Sequence, residues 1–120
     1  MKSYRDLQVY QRAYTLAVSM HRLSLTLPRE MQRDLADQIR RASRSIPSNI
    51  AEGFSRNKSP KDIVNFLNDA LGSNDEILFN LNFMRDVDLL TTESYKRYFD
   101  EYTICGKQLY TLIQSVKGKK

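Results

Sequence analysis

Residues 38–53 read QIRRASRSIPSNIAEG and carry two opposed signals. Ile39, Ala42, Ile46 and Ile50 recur at spacings of three and four, the period of an amphipathic helix, yet Pro47 falls among them and Gly53 closes the run. A proline inside a helix removes an amide donor and crowds the carbonyl four residues back, here that of Ser43, at a cost of about 3 kcal/mol. The apolar spacing nevertheless runs straight through it. No GxxxxGK[ST] or GxGxxG string occurs in the chain, so a phosphate-cradling loop is excluded. One long helix kinked at Pro47 satisfies both signals, with Ser43, Ser45 and Ser48 placed to take up freed backbone groups.

Steps of 100° per residue sort this helix into faces. Leu35, Ile39, Ala42, Ile46, Ile50 and Gly53 form the apolar face. Gln38, Ser45, Asn49 and Glu52 form a polar flank on one side; Arg33, Arg40 and Arg44 form a basic flank on the other, with Arg41 at the back. Arg41 has Asp37 one turn earlier as a partner. Arg44 has no acidic residue three or four positions away in either direction. It therefore needs a partner outside its own helix, either a carboxylate of a later helix or of another subunit, or a phosphate. Glu52 is placed to pair with Arg40 or Arg41 as a structural ion pair.

Outward from this stretch the same period marks three more helices. About 4–26 carries Leu7, Tyr10, Ala13, Ala17, Met20 and Leu23, and Pro28 stops it. The second helix then spans about 29–54. Ser59 as N-cap and Pro60 at the first position open a third over about 60–87, with Ile63, Leu67, Ala70, Asn74, Ile77, Leu81 and Met84 as a heptad seam. Asn74 inside that seam reads as a register-setting residue. Thr91 or Thr92 caps a fourth over about 92–116, whose face holds Tyr95, Tyr98 or Phe99, Tyr102, Cys105, Leu109, Leu112 and Val116. Four helices with short connections predict one all-α domain over 1–120, an up-down-up-down four-helix bundle. Val9, Tyr14, Leu16, Phe66, Leu71, Leu78, Phe79 and Phe83 lie off the main stripes, and the surplus predicts an oligomer interface.

Composition narrows the function classes. Of 120 residues, one is cysteine, Cys105, and one is histidine, His21, which excludes a disulfide framework and a Cys/His zinc cluster. No cofactor or metal is expected. No apolar run approaches the roughly 20 residues of a membrane span, and the N-terminus lacks the apolar core of a signal peptide, so the expected location is the cytoplasm. The net charge of +5 is unevenly spread: +3 over residues 1–28, +4 over 29–61, −5 over 62–116 and +3 over 117–120. A basic first half and an acidic second half suit nucleic-acid contact, and they suit two mutually attracting halves equally well.

QIRRASRSIPSNIAEG, followed by a polar connection and then FLNDALGSNDEI at 66–77, resembles the bacterial four-helix-bundle family that includes the proteins encoded in 23S ribosomal RNA intervening sequences. The likeness covers nearly the whole chain. Gln38, Arg40, Arg41, Ser45, Pro47, Asn49, Glu52 and Gly53 match that family's signature, as do Gly72, Ser73 and Glu76; Tyr10 stands where many relatives have tryptophan. The resemblance implies a ring-like homopentamer without an established biochemical role. A more distant similarity, of architecture alone, connects the chain with the pentameric accessory proteins of diversity-generating retroelements, which bind nucleic acid.

An enzyme is the weakest reading, because His21 has no nucleophile or carboxylate in any recognisable arrangement with it. Two readings stay open. Arg33, Arg40, Arg44, Arg56, Lys58 and Lys61, with the basic tail, can form a surface that contacts RNA or DNA phosphates. Alternatively the chain is an oligomeric scaffold whose basic flank serves subunit contacts.

Overall fold

The computed structural model describes residues 3–118. Its helices are α1 (Gln8–Leu25), α2 (Leu35–Gly53), α3 (Pro60–Asp86) and α4 (Thr92–Lys117). Each packs antiparallel on the next, and α4 returns beside α1, which closes the four-helix bundle. The long axis measures 47 Å against 23 and 20 Å across.

The apolar period marks most of the core, while Leu7, Tyr10, Leu23, Ile63 and Tyr95 of the same stripes are only partly buried against it. Leu35, Ile39, Ala42, Ile46, Ile50 and Gly53 of α2 are all buried, as are Leu67, Ala70, Asn74, Ile77, Leu81 and Met84 of α3. Val9 and Leu16 lie in the core as well, so part of the apolar surplus serves the bundle itself. Ser59 Oγ accepts from the Asp62 amide and Thr91 Oγ1 from the Ser94 amide, capping α3 and α4.

Two helices begin later than their periodicity suggests. Tyr4–Asp6 forms a single 3-10 turn, capped when Ser3 Oγ accepts from the Arg5 amide, and extended Leu7 separates it from α1. Arg29–Met31 forms another 3-10 turn, and α2 starts only at Leu35. The cause lies in Gln32, whose side-chain amide donates to the carbonyls of Ser24 and Leu27, each at 2.9 Å. The Ser24 carbonyl also accepts from the Leu27 amide at 3.2 Å, so Gln32 adds a second bond there, supplies a donor to the Leu27 carbonyl, and holds the connection against α1.

α2 runs without interruption from Leu35 to Gly53, with Pro47 buried inside it. The serines do not act as expected: Ser43 Oγ donates to the Arg40 carbonyl, Ser48 is exposed, and Ser45 joins a side-chain network. Gly53 has a packing reason. A Cβ there would lie 3.1 Å from Phe66 Cβ and 3.6 Å from the Ile63 carbonyl oxygen, so its absence lets α2 and α3 approach at this level.

Candidate functional site

Arg40, Arg41 and Arg44 share one helix and have three different environments. The Arg40 guanidinium turns inward. It donates to Ser24 Oγ at 3.0 Å, to Gln32 Oε1 at 3.0 Å and to the Gln32 carbonyl at 2.8 Å. All three acceptors are neutral oxygens at the junction of α1, the connection and α2. Arg41 pairs with Asp37 at 3.5 Å on the exposed side. Arg44 is exposed, donates through Nε to the Arg40 carbonyl at 3.4 Å, and has no carboxylate in ion-pair range among the described residues.

The six cations proposed as one phosphate surface do not form one. Arg40 is occupied internally. Arg33 precedes α2 and Arg56 follows it, so about 28 Å of helix separates them. Arg56 and Lys58 in the connection and Lys61 in the first turn of α3 do gather at one end of the bundle. Arg56 and Lys61 are exposed without a carboxylate partner among the described residues. Lys58 pairs with Glu52 at 3.2 Å and lies over the Phe66 ring at 5.5 Å. Glu52 thus serves Lys58 and not Arg40 or Arg41, because it sits in the last turn of α2, beside the connection and far from both arginines. Antiparallel packing brings Arg5 and Lys117 to this same end of the bundle, and Asp6, Glu52 and Asp62 offset them only in part. The last two residues of the tail lie outside the described range.

The polar flank is a bridge between helices. Asn49 Nδ2 donates to Ser45 Oγ and to the Ser45 carbonyl, both at 2.9 Å, and Ser73 Oγ of α3 bonds to Ser45 Oγ at 2.8 Å. Gln38 Nε2 donates to Asp34 Oδ1 at 3.1 Å. Asn74 is fully buried and its Nδ2 donates to the Tyr102 carbonyl of α4 at 2.9 Å. Gly106 makes that bond possible, since a Cβ there would lie 3.0 Å from Asn74 Nδ2. A glycine in the middle of a helix, one turn after a tyrosine on the same stripe, was the available sequence signal for this contact.

Gly72 and Glu76, by contrast, are exposed on α3, and a Cβ at Gly72 would meet nothing within 4 Å. A groove of about 560 Å³ opens between α1 and α2, lined by Tyr10, Tyr14, Val18, Arg22, Arg44 and Pro47 among others. Tyr14 stacks on Tyr10 along it, with ring centroids 6.1 Å apart.

The groups capable of covalent chemistry are poorly disposed for it. Cys105 is fully buried, and burial pushes its thiol up to about 12, with Arg12 opposing and Glu101 reinforcing the shift. Burial likewise raises the Tyr102 hydroxyl well above its ordinary range. His21 is exposed at the groove. Among the described residues, no three His, Cys, Asp or Glu side chains gather as metal ligands would, and no helix is long and apolar enough to cross a membrane.

Residues 5–111 match the family described as 23S rRNA-intervening sequence protein. The chain belongs to that family. A solved structure from Bacteroides thetaiotaomicron VPI-5482, described as a protein of unknown function from the S23 ribosomal protein family, superposes on this family member with a TM-score of 0.80. It is 29% identical, and the match covers 88% of this chain and 95% of that one. No curated protein matches this chain.

Proposed function

We propose that this chain is a non-catalytic assembly module that joins copies of itself, as the pentamer expected from its family, and contacts RNA or DNA phosphates through the basic end of the bundle. The observation that carries the nucleic-acid part is the clustering of Arg56, Lys58 and Lys61, two of them exposed and without a carboxylate partner among the described residues. Oligomerisation multiplies such a patch, and each phosphate neutralised steepens the salt dependence of binding. The family's name links its members to 23S rRNA, which favours RNA as the first ligand to try. Contacts of this kind read backbone and shape, since no base-reading RNA motif is present in the sequence.

The test is a fluorescence-anisotropy titration of a labelled RNA hairpin and a DNA duplex over a salt series. Binding at low salt should weaken at least tenfold in the R56E/K58E/K61E variant, and its salt slope should fall by roughly two to three. Absence of any salt-sensitive binding by the intact protein would overturn the nucleic-acid part and leave the scaffold reading, which the exposed aromatic residues Tyr14, Phe79 and Phe83 favour.

A further inference from the structure

Two surfaces of the bundle are unoccupied within one subunit and match each other. The first is the back of α3. At 100° per residue, Gly72, Glu76, Phe79 and Phe83 fall within about 40° of one line, opposite the buried seam. Phe79 is 68% exposed and Phe83 47%. Asp69 and Asp75 flank that line, and with Glu76 on it they are all exposed and outside any ion pair among the described residues. Gly72 is a poorer helix former than alanine, yet nothing in its own chain comes within 4 Å of a Cβ there. Glycine at such a place admits close approach by another surface.

The second is the groove between α1 and α2. Its floor and rim carry Tyr10, Tyr14, Val18 and Pro47, and its charged residues are Arg22 and Arg44, with no carboxylate among the lining residues. A volume of about 560 Å³ lies within the range that accepts aromatic groups. Neither surface can reach the other within one molecule, because α3 packs on α2 through its opposite face.

We propose that the aromatic, acidic back of α3 in one copy docks in the tyrosine- and arginine-lined α1–α2 groove of the next. The inference rests on the self-assembly reading above and specifies its contact. Phe79 and Phe83 supply the apolar anchor, and Asp69, Asp75 and Glu76 face Arg22 and Arg44, so the charge asymmetry of the chain becomes the polarity of the joint. Two different surfaces meet, so the contact is head-to-tail and generates a ring when its rotation closes. Arg44 then finds its carboxylate in a neighbour, and the phosphate-binding role stays with Arg56, Lys58 and Lys61.

A head-to-tail joint has a distinctive signature in mixtures. Two variants are needed: F79D/F83D, which spoils only the α3 surface, and V18D/R44E, which spoils only the groove. All four positions are exposed, so helicity by circular dichroism should match the unaltered protein. Native mass spectrometry should find an oligomer for the unaltered protein and monomers for each variant alone, with assembly shifted to at least hundredfold higher concentration. An equimolar mixture should give a heterodimer and nothing larger, since each pair retains one intact α3 surface and one intact groove. A monomeric unaltered protein would overturn the self-assembly reading together with this inference. An oligomeric unaltered protein whose variants also assemble, within tenfold of its concentration, would overturn the inference alone. A mixture that stays monomeric would do the same.

Discussion

Replacing Arg40 with methionine tests whether this arginine holds the fold or serves a ligand. Methionine keeps most of the aliphatic stem and removes the guanidinium, which makes three hydrogen bonds of 2.8–3.0 Å to Ser24 and Gln32. A hydrogen bond to a charged group contributes about 1.5–3 kcal/mol, but three on one group do not add in full. The acceptors are not equally exposed by the loss. Ser24 Oγ still donates to the His21 carbonyl at 2.6 Å, whereas both Gln32 oxygens lose their partner. Gln32 is partly buried, so water can replace some of what is lost. The expected net cost is therefore about 2–4 kcal/mol, which for a domain of this size lowers Tm by roughly 8–15 °C. Lysine at the same position should recover less than half, because one ammonium cannot reproduce a planar fork across three acceptors. The assay is thermal and urea unfolding at fixed protein concentration, with nucleic-acid affinity measured well below the new Tm. A shift under about 3 °C combined with lost binding in the folded protein would refute the assignment and place Arg40 on an external ligand.

Three further outcomes follow from the packing and ionisation of single residues. Gly106→Ala should destabilise by about 1–2 kcal/mol in urea unfolding, despite the helix propensity it gains, because the new Cβ meets Asn74 Nδ2 at 3.0 Å; in an Asn74→Ala background the penalty should vanish. Stability should fall as pH rises from about 9 towards 12. In that window the unfolded chain releases the Cys105 proton while the folded chain, with its thiol pushed up to about 12, retains it. The unfolded state then binds fewer protons and gains, and Tyr102, also raised by burial, acts in the same direction; a flat stability profile over this range would contradict the burial of Cys105. Glu52→Gln should change Tm by no more than about 3 °C, since its pair with Lys58 is surface-exposed, and a larger drop would point to a buried ion pair.

What could be read from the sequence was what repeats along one helix. Spacings of three and four put Ile39, Ile46, Leu67, Ile77, Tyr102 and Leu109 in the core, and all six are buried. Caps written locally, Ser59 before Pro60 and Thr91, are where the sequence placed them. Contacts between distant segments left no comparable trace. The α1–α2 connection has a helical composition, yet Gln32 binds Ser24 and Leu27, so its backbone does not extend α2 backwards. The likeness of Arg33, Arg40, Arg56 and Lys61 in charge concealed that they occupy opposite ends or the interior of the bundle. Gly106 marks a close approach inside α4, but the sequence does not name the partner, Asn74, which lies on another helix.

The separation of Arg40 from Arg44 shows where such a reading stops. The two lie only about 40° apart around α2, so the direction each points cannot decide its partner. Height along the bundle does. Arg40 stands level with the end of α1, where the Ser24 hydroxyl and the side chain and carbonyl of Gln32 face it as acceptors. One turn further on, Arg44 stands beside the interior of α1, lining the groove with Val18, where every carbonyl already belongs to the helix. Arg44 makes no hydrogen bond to α1 there, and no carboxylate of α3 or α4 pairs with it among the described residues. The same side chain on the same flank is therefore structural at one level and outward-looking at the next. Val18→Glu, which puts a carboxylate beside Arg44 in the groove, should draw Arg44 onto α1 and weaken any contact it makes with another molecule.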